Sequence, residues 1–276
     1  MPDLSDRVAL VTGASRGAGA AAAAVLGEGG ATVYVTGRSS RAGTRTEGLP
    51  GTVEDSAEAV SRRGGSGIAM VCDHTDPAQV ERLVARIAAD HGRLDVLVNN
   101  AWGGYAAYDG PAFTAPFWEQ PLQQRWDAMF GAGVWPTMLT SARAAPLLGE
   151  SALVACTVAW ARDAYLGNAI YDAAKACIAR FAFAMAHDLR ERGVTAVAIA
   201  PGFMRTERVL AAHESEPFDL SVTESPEYLG RAIAHLAADP ARFERTGELL
   251  TAGDLARTYG FTDVDGSQPE TFTLPA

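Results

Sequence analysis

Residues 8–28 read VALVTGASRGAGAAAAAVLGE, and the order of residue types in that stretch decides the fold. Val8-Ala-Leu-Val11 is apolar throughout, as a strand covered on both faces would be. It runs directly into Thr12-Gly13-Ala14-Ser15-Arg16-Gly17-Ala18-Gly19, after which an alanine-rich run favours helix. In that turn Gly13 permits the tight bend and Gly17 lets backbone N–H groups approach a pyrophosphate at the helix N-terminus. Gly19 lets the helix pack close on the strand. A strand–helix turn of no special purpose would also use glycine, so the weight lies in its place after an apolar strand.

Working outward, the alternation repeats. Short β-branched runs fall at 8–12, 32–36, 68–72, 94–98, 153–157, 194–199 and 248–251. Segments of helical period lie between them near 18–28, 52–63, 77–90, 121–147, 168–192 and 226–238. This rhythm predicts an α/β fold, a doubly wound parallel sheet of about seven strands with right-handed crossovers. No linker, repeat or low-complexity tract interrupts it, so 1–276 reads as a single domain. Residues 37–51 read as a surface loop. Residues 203–225 show no clear element and, following a strand's carboxyl end, read as a candidate substrate lid.

Composition narrows the function classes. An apolar fraction of 48% and a charged fraction of 20% are those of a globular protein, not a disordered one. No run approaches a membrane span and the start lacks a leader's basic region and cleavage site, so a cytoplasmic protein with no membrane partner is expected. Lys plus Arg number 23 against 33 Asp plus Glu, a net charge of −10 without a local basic patch, which argues against nucleic acid as a partner. Cys72, Cys156 and Cys177 are far apart, and the five histidines form no ligand-spaced cluster, so no metal site is expected.

The second strand ends in Gly37-Arg38. A carboxylate at that tip would receive a ribose diol and favour NAD(H); Gly37 offers none. Arg38, with Arg16 in the glycine loop, could clamp a 2′-phosphate by charge-assisted hydrogen bonds, so NADP(H) is preferred over NAD(H).

Further along come Asp73 after the third strand, Asn99-Asn100-Ala101 after the fourth, Tyr171-Asp-Ala-Ala-Lys175, and Pro201-Gly202 with Thr206. In that order, and behind TGASRGAG, these motifs resemble the short-chain dehydrogenase/reductase superfamily over essentially the whole chain. Trp102-Gly-Gly-Tyr105, Pro116-Phe-Trp-Glu119 and the late Asp254–Gly260 and Asp263–Gly266 segments look like its branch containing dehydrogenase/reductase member 1 and bacterial relatives. The resemblance implies a Rossmann-type fold. It also places Gly13, Ser15, Arg16, Gly17, Gly19, Arg38, Asp73, Asn99, Ala101, Tyr171, Lys175, Pro201, Gly202 and Thr206 at the cofactor. Asp73 would meet the adenine amino group, Asn99 and Ala101 the ribose, and Thr206 the carboxamide. Homodimers or homotetramers are implied too.

Tyr171 and Lys175 stand one helical turn apart, and Lys175 is the only lysine among 23 basic residues. A phenol is a sluggish acid near neutral pH, and an adjacent ammonium makes it a better one. Lys175 also suits a nicotinamide ribose as a compact, rotatable donor where Arg's planar fork would not. Tyr171 is thus the expected acid/base and Lys175 the group that tunes it.

Relatives carry a substrate-binding Ser thirteen residues before the Tyr, but here that position is Val158, which has no donor. Thr157 is adjacent, and it could replace the Ser only if a local bulge turned it to the other face. The relay Asn of many relatives is matched by Gly133. Trp102, Val158, Trp160 and Tyr165 are the candidate substrate contacts. With Tyr105, Tyr108, Phe117 and Trp118 they point to a bulky apolar or aromatic small molecule. The leading expectation is hydride transfer between NADP(H) and a carbonyl, hydroxyl or related C=X group. Two alternatives stand beside it: a non-redox catalyst using Tyr171, and an idle nucleotide-binding subunit.

Overall fold

The computed structural model describes residues 1–105, 112–159 and 162–271. Seven strands form one parallel sheet in the order β3-β2-β1-β4-β5-β6-β7. They are β1 (Val8–Val11), β2 (Thr32–Gly37), β3 (Ser66–Val71), β4 (Leu94–Asn99), β5 (Leu148–Thr157), β6 (Thr195–Ala200) and β7 (Leu249–Thr251). The order reverses direction between β1 and β4, which opens a crevice at the carboxyl ends of those two strands. The expected Rossmann-type fold is what the chain adopts.

Successive side chains of each strand feed opposite layers, as the pleat requires. Ala9, Val11, Val33, Val35, Val96, Val98, Val197 and Ile199 pack on one face against α1 (Gly17–Glu28) and α8 (Pro226–Ala238). Leu10, Tyr34, Leu94, Leu97, Val154 and Ala198 fill the other face. There they meet α3 (Pro77–His91), α5 (Trp135–Ala144) and α6 (Ala169–Asp188). Glycine permits close contact between helix and loop: a Cβ on Gly19 would fall 2.5 Å from Gly13 O.

The edges of elements differ from the sequence expectation where the chain is locally ambiguous. β5 begins at Leu148 rather than 153. The long helix expected over 121–147 is three pieces: α4 (Leu122–Trp126), a π-helical stretch over Asp127–Val134, and α5. α2 (Val53–Arg62) matches its prediction. Two helices had no clear signal. One is α7 (Glu207–Ser215), which buries no residue and starts on the Thr206 side chain, whose Oγ1 accepts from Val209 N at 3.4 Å. The other is α9 (Ala252–Tyr259), capped by Thr251, the last residue of β7, so that strand and helix abut without a loop.

Candidate active site

A cleft of about 510 Å³ opens at the switch point of the sheet. Its floor is the glycine loop. Gly13 is left-handed, at φ +63°, and its missing Cβ would fall 2.7 Å from Ala101 Cα, so the loop lies directly on the turn after β4. Asn100 pins that contact, its Nδ2 donating to Thr12 O and Gly13 O at 3.1 Å each. Thr12 Oγ1 accepts from the N–H groups of Asn100 and Ala101, at 2.9 Å each. Asn100 is a site residue that the sequence reading passed over, although its place beside Asn99 was the available signal.

The lining brings together Gly13, Ser15, Arg16, Gly17, Arg38, Asp73, Ala101, Trp102, Tyr171, Pro201, Gly202 and Thr206. At the N-terminus of α1 the Gly17 N–H donates to Glu207 Oε1 at 3.2 Å. A carboxylate at that position is an anion on the helix dipole, the chemistry a diphosphate would present there. These residues fit a dinucleotide.

The two arginines separate. Arg16 gives its donors to the loop beyond β2: Pro50 O at 2.9 Å, Thr46 O at 3.2 Å, Ser39 Oγ at 2.7 Å and Leu49 O at 3.4 Å. It therefore shapes the wall instead of reaching out as a free clamp. Arg38 is exposed at the cleft and forms no ion pair among the described residues.

The buried Asn99 side chain donates from Nδ2 to Ser141 Oγ at 2.8 Å, and Asn99 lines the recess at the inner end of the cleft. His74, given no role from sequence, lines the cleft and fastens strand ends. Thr36 Oγ1 gives its proton to Val11 O, so it accepts from His74 Nε2 at 2.8 Å, while Nδ1 accepts from Thr140 Oγ1 at 2.9 Å. Burial pushes its imidazole down to about 4 and keeps it neutral.

The cleft deepens into a recess of about 140 Å³ lined by Trp102, Tyr105, Thr157, Val158, Tyr171 and Lys175 among others. Asn168 caps α6, its Oδ1 accepting from Ile170 N and Tyr171 N, which fixes where Tyr171 stands. One turn on, Lys175 is buried, and its Nζ lies 3.3 Å from the centroid of the Trp102 indole. Burial pushes its ammonium down to about 7. The indole also meets Tyr171 edge to face, at 5.6 Å. It fills the space beside Gly133, where a Cβ would fall 2.5 Å from Trp102 Cζ3.

Val158 is buried in the recess wall and brings only methyl groups. Thr157 does not rescue it. The strand stays in register, Thr157 opposite Ile199 with Val158 N donating to Ile199 O, so no bulge turns the hydroxyl. Thr157 Oγ1 instead donates to Asn100 Oδ1 at 3.2 Å and Asn99 O at 3.4 Å. Among the other substrate candidates, Tyr165 is 63% exposed and is absent from the lining of both cavities. Phe117 and Trp118 are likewise at the surface. Trp160 and Tyr108 lie outside the described residues.

A switch-point cleft with a glycine floor, closed by a Tyr–Lys pair, defines a Rossmann-type nucleotide-dependent enzyme. The chain matches the short chain dehydrogenase family over residues 7–217 and belongs to it. It is an oxidoreductase of that NAD(P)-dependent type. Mouse dehydrogenase/reductase SDR family member 1 is 34% identical over 278 residues, an alignment that covers 95% of this chain and 85% of the relative. A putative dehydrogenase from Xanthomonas campestris superposes with a TM-score of 0.81 at 25% identity, covering 99% of this chain and 98% of that one. A short chain dehydrogenase from Burkholderia cenocepacia in complex with NADP superposes at 0.71 with 28% identity, covering 90% and 96%.

Proposed function

We propose that the chain transfers hydride between NADP(H) and a carbonyl or hydroxyl carbon, or a related C=X group, of a bulky apolar or aromatic small molecule. The observation that carries this reading is the meeting of Tyr171 and Lys175 at the closed end of a cleft whose other end is the glycine loop. Bound NADPH would supply the hydride for a reduction and leave as NADP⁺.

The chain's own residues do the rest. Tyr171 gives its phenolic proton to the oxygen that takes up the electron pair of the broken C=O π bond, and recovers one from solvent afterwards. Lys175, in its charged form, steadies the resulting phenolate and makes the phenol a stronger acid. Gly13, Gly17, Ser15 and Thr206 would hold the dinucleotide, and Asp73 would serve its adenine end.

Preference for NADP(H) is supported by the missing carboxylate at Gly37, by the unengaged Arg38, and by the NADP-bound neighbour. The apolar substrate class is supported by Trp102, Tyr105, Phe203 and Met204 along the cleft. Residues 203–225 act as the lid. Their ends are joined by a Met204–Glu224 bridge, and Glu207, Arg208 and Val209 face the cleft between them.

The test follows NADPH absorbance against a panel of aromatic and aliphatic ketones, aldehydes and imines, with Tyr171→Phe as control. Turnover that Tyr171→Phe abolishes supports the reading. Oxidation of NADPH at the same rate in both proteins, or none with any compound, overturns it.

A further inference from the structure

By sequence the reaction end is one hydroxyl short. Val158 has no donor and Thr157 Oγ1 is committed to Asn99 and Asn100. In the folded chain a second hydroxyl nevertheless stands at Tyr171, and it arrives from the loop after β4. Tyr105, six residues past the end of β4, places its Oη 3.2 Å from Tyr171 Oη. Its ring is held on several sides. It stacks with Tyr171 at 6.1 Å and 23°, Trp102 meets it edge-on at 6.1 Å, and the Arg208 guanidinium lies 5.0 Å from its centroid. The backbone beneath is anchored as well, Gly103 N donating to Ala132 O at 2.8 Å in the π-helical stretch.

We propose that Tyr105 is a catalytic residue, the second hydroxyl of a two-phenol pair that grips the substrate oxygen. Two hydroxyls 3.2 Å apart can both reach an oxygen lying about 2.7 Å from each, which is ordinary hydrogen-bond geometry. Tyr171 passes its proton to that oxygen, and Tyr105 keeps its own and donates a hydrogen bond to the negative charge that develops there. The inference rests on the carbonyl–hydroxyl reading above.

Delivery by tyrosine has a geometric reason. A serine reaches its substrate from its own strand, whereas the longer phenol can supply a donor from the loop after β4. The near wall is thereby freed to be Val158, apolar and closely packed. The arrangement also ties the donor to the lid. Arg208, on α7, covers Tyr105 and pairs with Glu47 in the loop beyond β2, so one side chain joins lid, donor and cofactor wall.

Tyr105→Phe is the test, because it removes the hydroxyl and keeps the ring and its stacks. Reduction of the best carbonyl found in the panel should fall in kcat by ~10²–10³, the usual effect of losing one oxyanion donor. NADPH affinity, measured by fluorescence titration, should not change. Adding Val158→Ser to that variant offers a hydroxyl from the strand, and kcat should recover tenfold or more. A tyrosine that merely supported the loop would not be rescued by a hydroxyl on another element.

A second readout needs no turnover. Tyrosinate absorbance of the unliganded protein, with Tyr171 identified by its loss in Tyr171→Phe, should show Tyr171 ionising at lower pH in the wild type than in Tyr105→Phe. Lys175 from α6 and Arg208 from α7, which also face the pair, are the same in both proteins. If no protein oxidises NADPH but this shift is present, the substrate reading fails and the two-phenol pair stands. An unchanged Tyr171 titration, or a kcat within twofold of wild type where turnover exists, overturns the proposal.

Discussion

Glu224 closes the base of the lid and carries a charge in the wrong place. It is 3% exposed, its Oε1 accepts from Gly202 N at 2.9 Å, and its backbone pairs with Phe203 O and Arg205 N. Burial pushes its carboxyl up from 4.5 to about 7; the buried Asp263 nearby adds to the rise, and the Gly202 N–H and Arg205 oppose it. A carboxyl whose folded value is raised binds more protons folded than unfolded between those two values. Its contribution is therefore fully present below about pH 4.5 and is lost as pH climbs through about 7.

A rise from 4.5 to about 7 at about 1.4 kcal/mol per pH unit makes the ionised Glu224 cost about 3 kcal/mol in the folded state above neutrality. Glu224→Gln keeps an acceptor for Gly202 N–H and removes the charge. The variant should match wild type at about pH 4 and exceed it by about 3 kcal/mol at about pH 8, which is roughly 5–10 °C in Tm for a chain of this size. Thermal melts of both proteins across that range measure it. A Tm difference that does not vary with pH, or a variant less stable than wild type at about pH 8, would refute the reasoning.

Two further outcomes follow from the cleft and the surface. NADPH should bind at least tenfold tighter than NADH, about 1.4 kcal/mol, and Arg38→Ala should erase most of that difference; equal affinities in a titration would defeat the 2′-phosphate assignment. The chain should run as a symmetric dimer or tetramer by light scattering at micromolar concentration. Trp126 at 57%, Trp135 at 43% and Phe183 at 36% exposure would leave an apolar surface on a monomer, and a monomer mass would count against assembly.

The identity of the sheet, the glycine floor and the Tyr171–Lys175 pair could all be read directly from the chain. Each is a local pattern: apolar runs set strands, Gly13 is the residue the tight turn requires and Gly19 the one the close helix contact requires, and a spacing of four places two side chains on one helix face. The absence of a donor at Val158 was equally legible, since a missing hydroxyl is a property of the residue itself. Helix α7 was not legible, because it buries no side chain and so carries no apolar period; its start rests on one capping hydroxyl.

Partnership across long separations is what only the folded chain decided. Arg16 and Arg38 look alike in sequence, but the loop after β2 folds back onto Arg16 and takes up its donors, and Arg38 is left free of ion pairs among the described residues. Thr157 could have faced either wall until the unbroken register of β5 on β6 turned it to Asn100. Tyr105 meets Tyr171 across 66 residues of chain, and Gly17 meets Glu207 across 190. A residue's type and spacing state what its side chain can donate or accept; where the loops return over the sheet determines which group receives it, and that return is set by packing of the whole core.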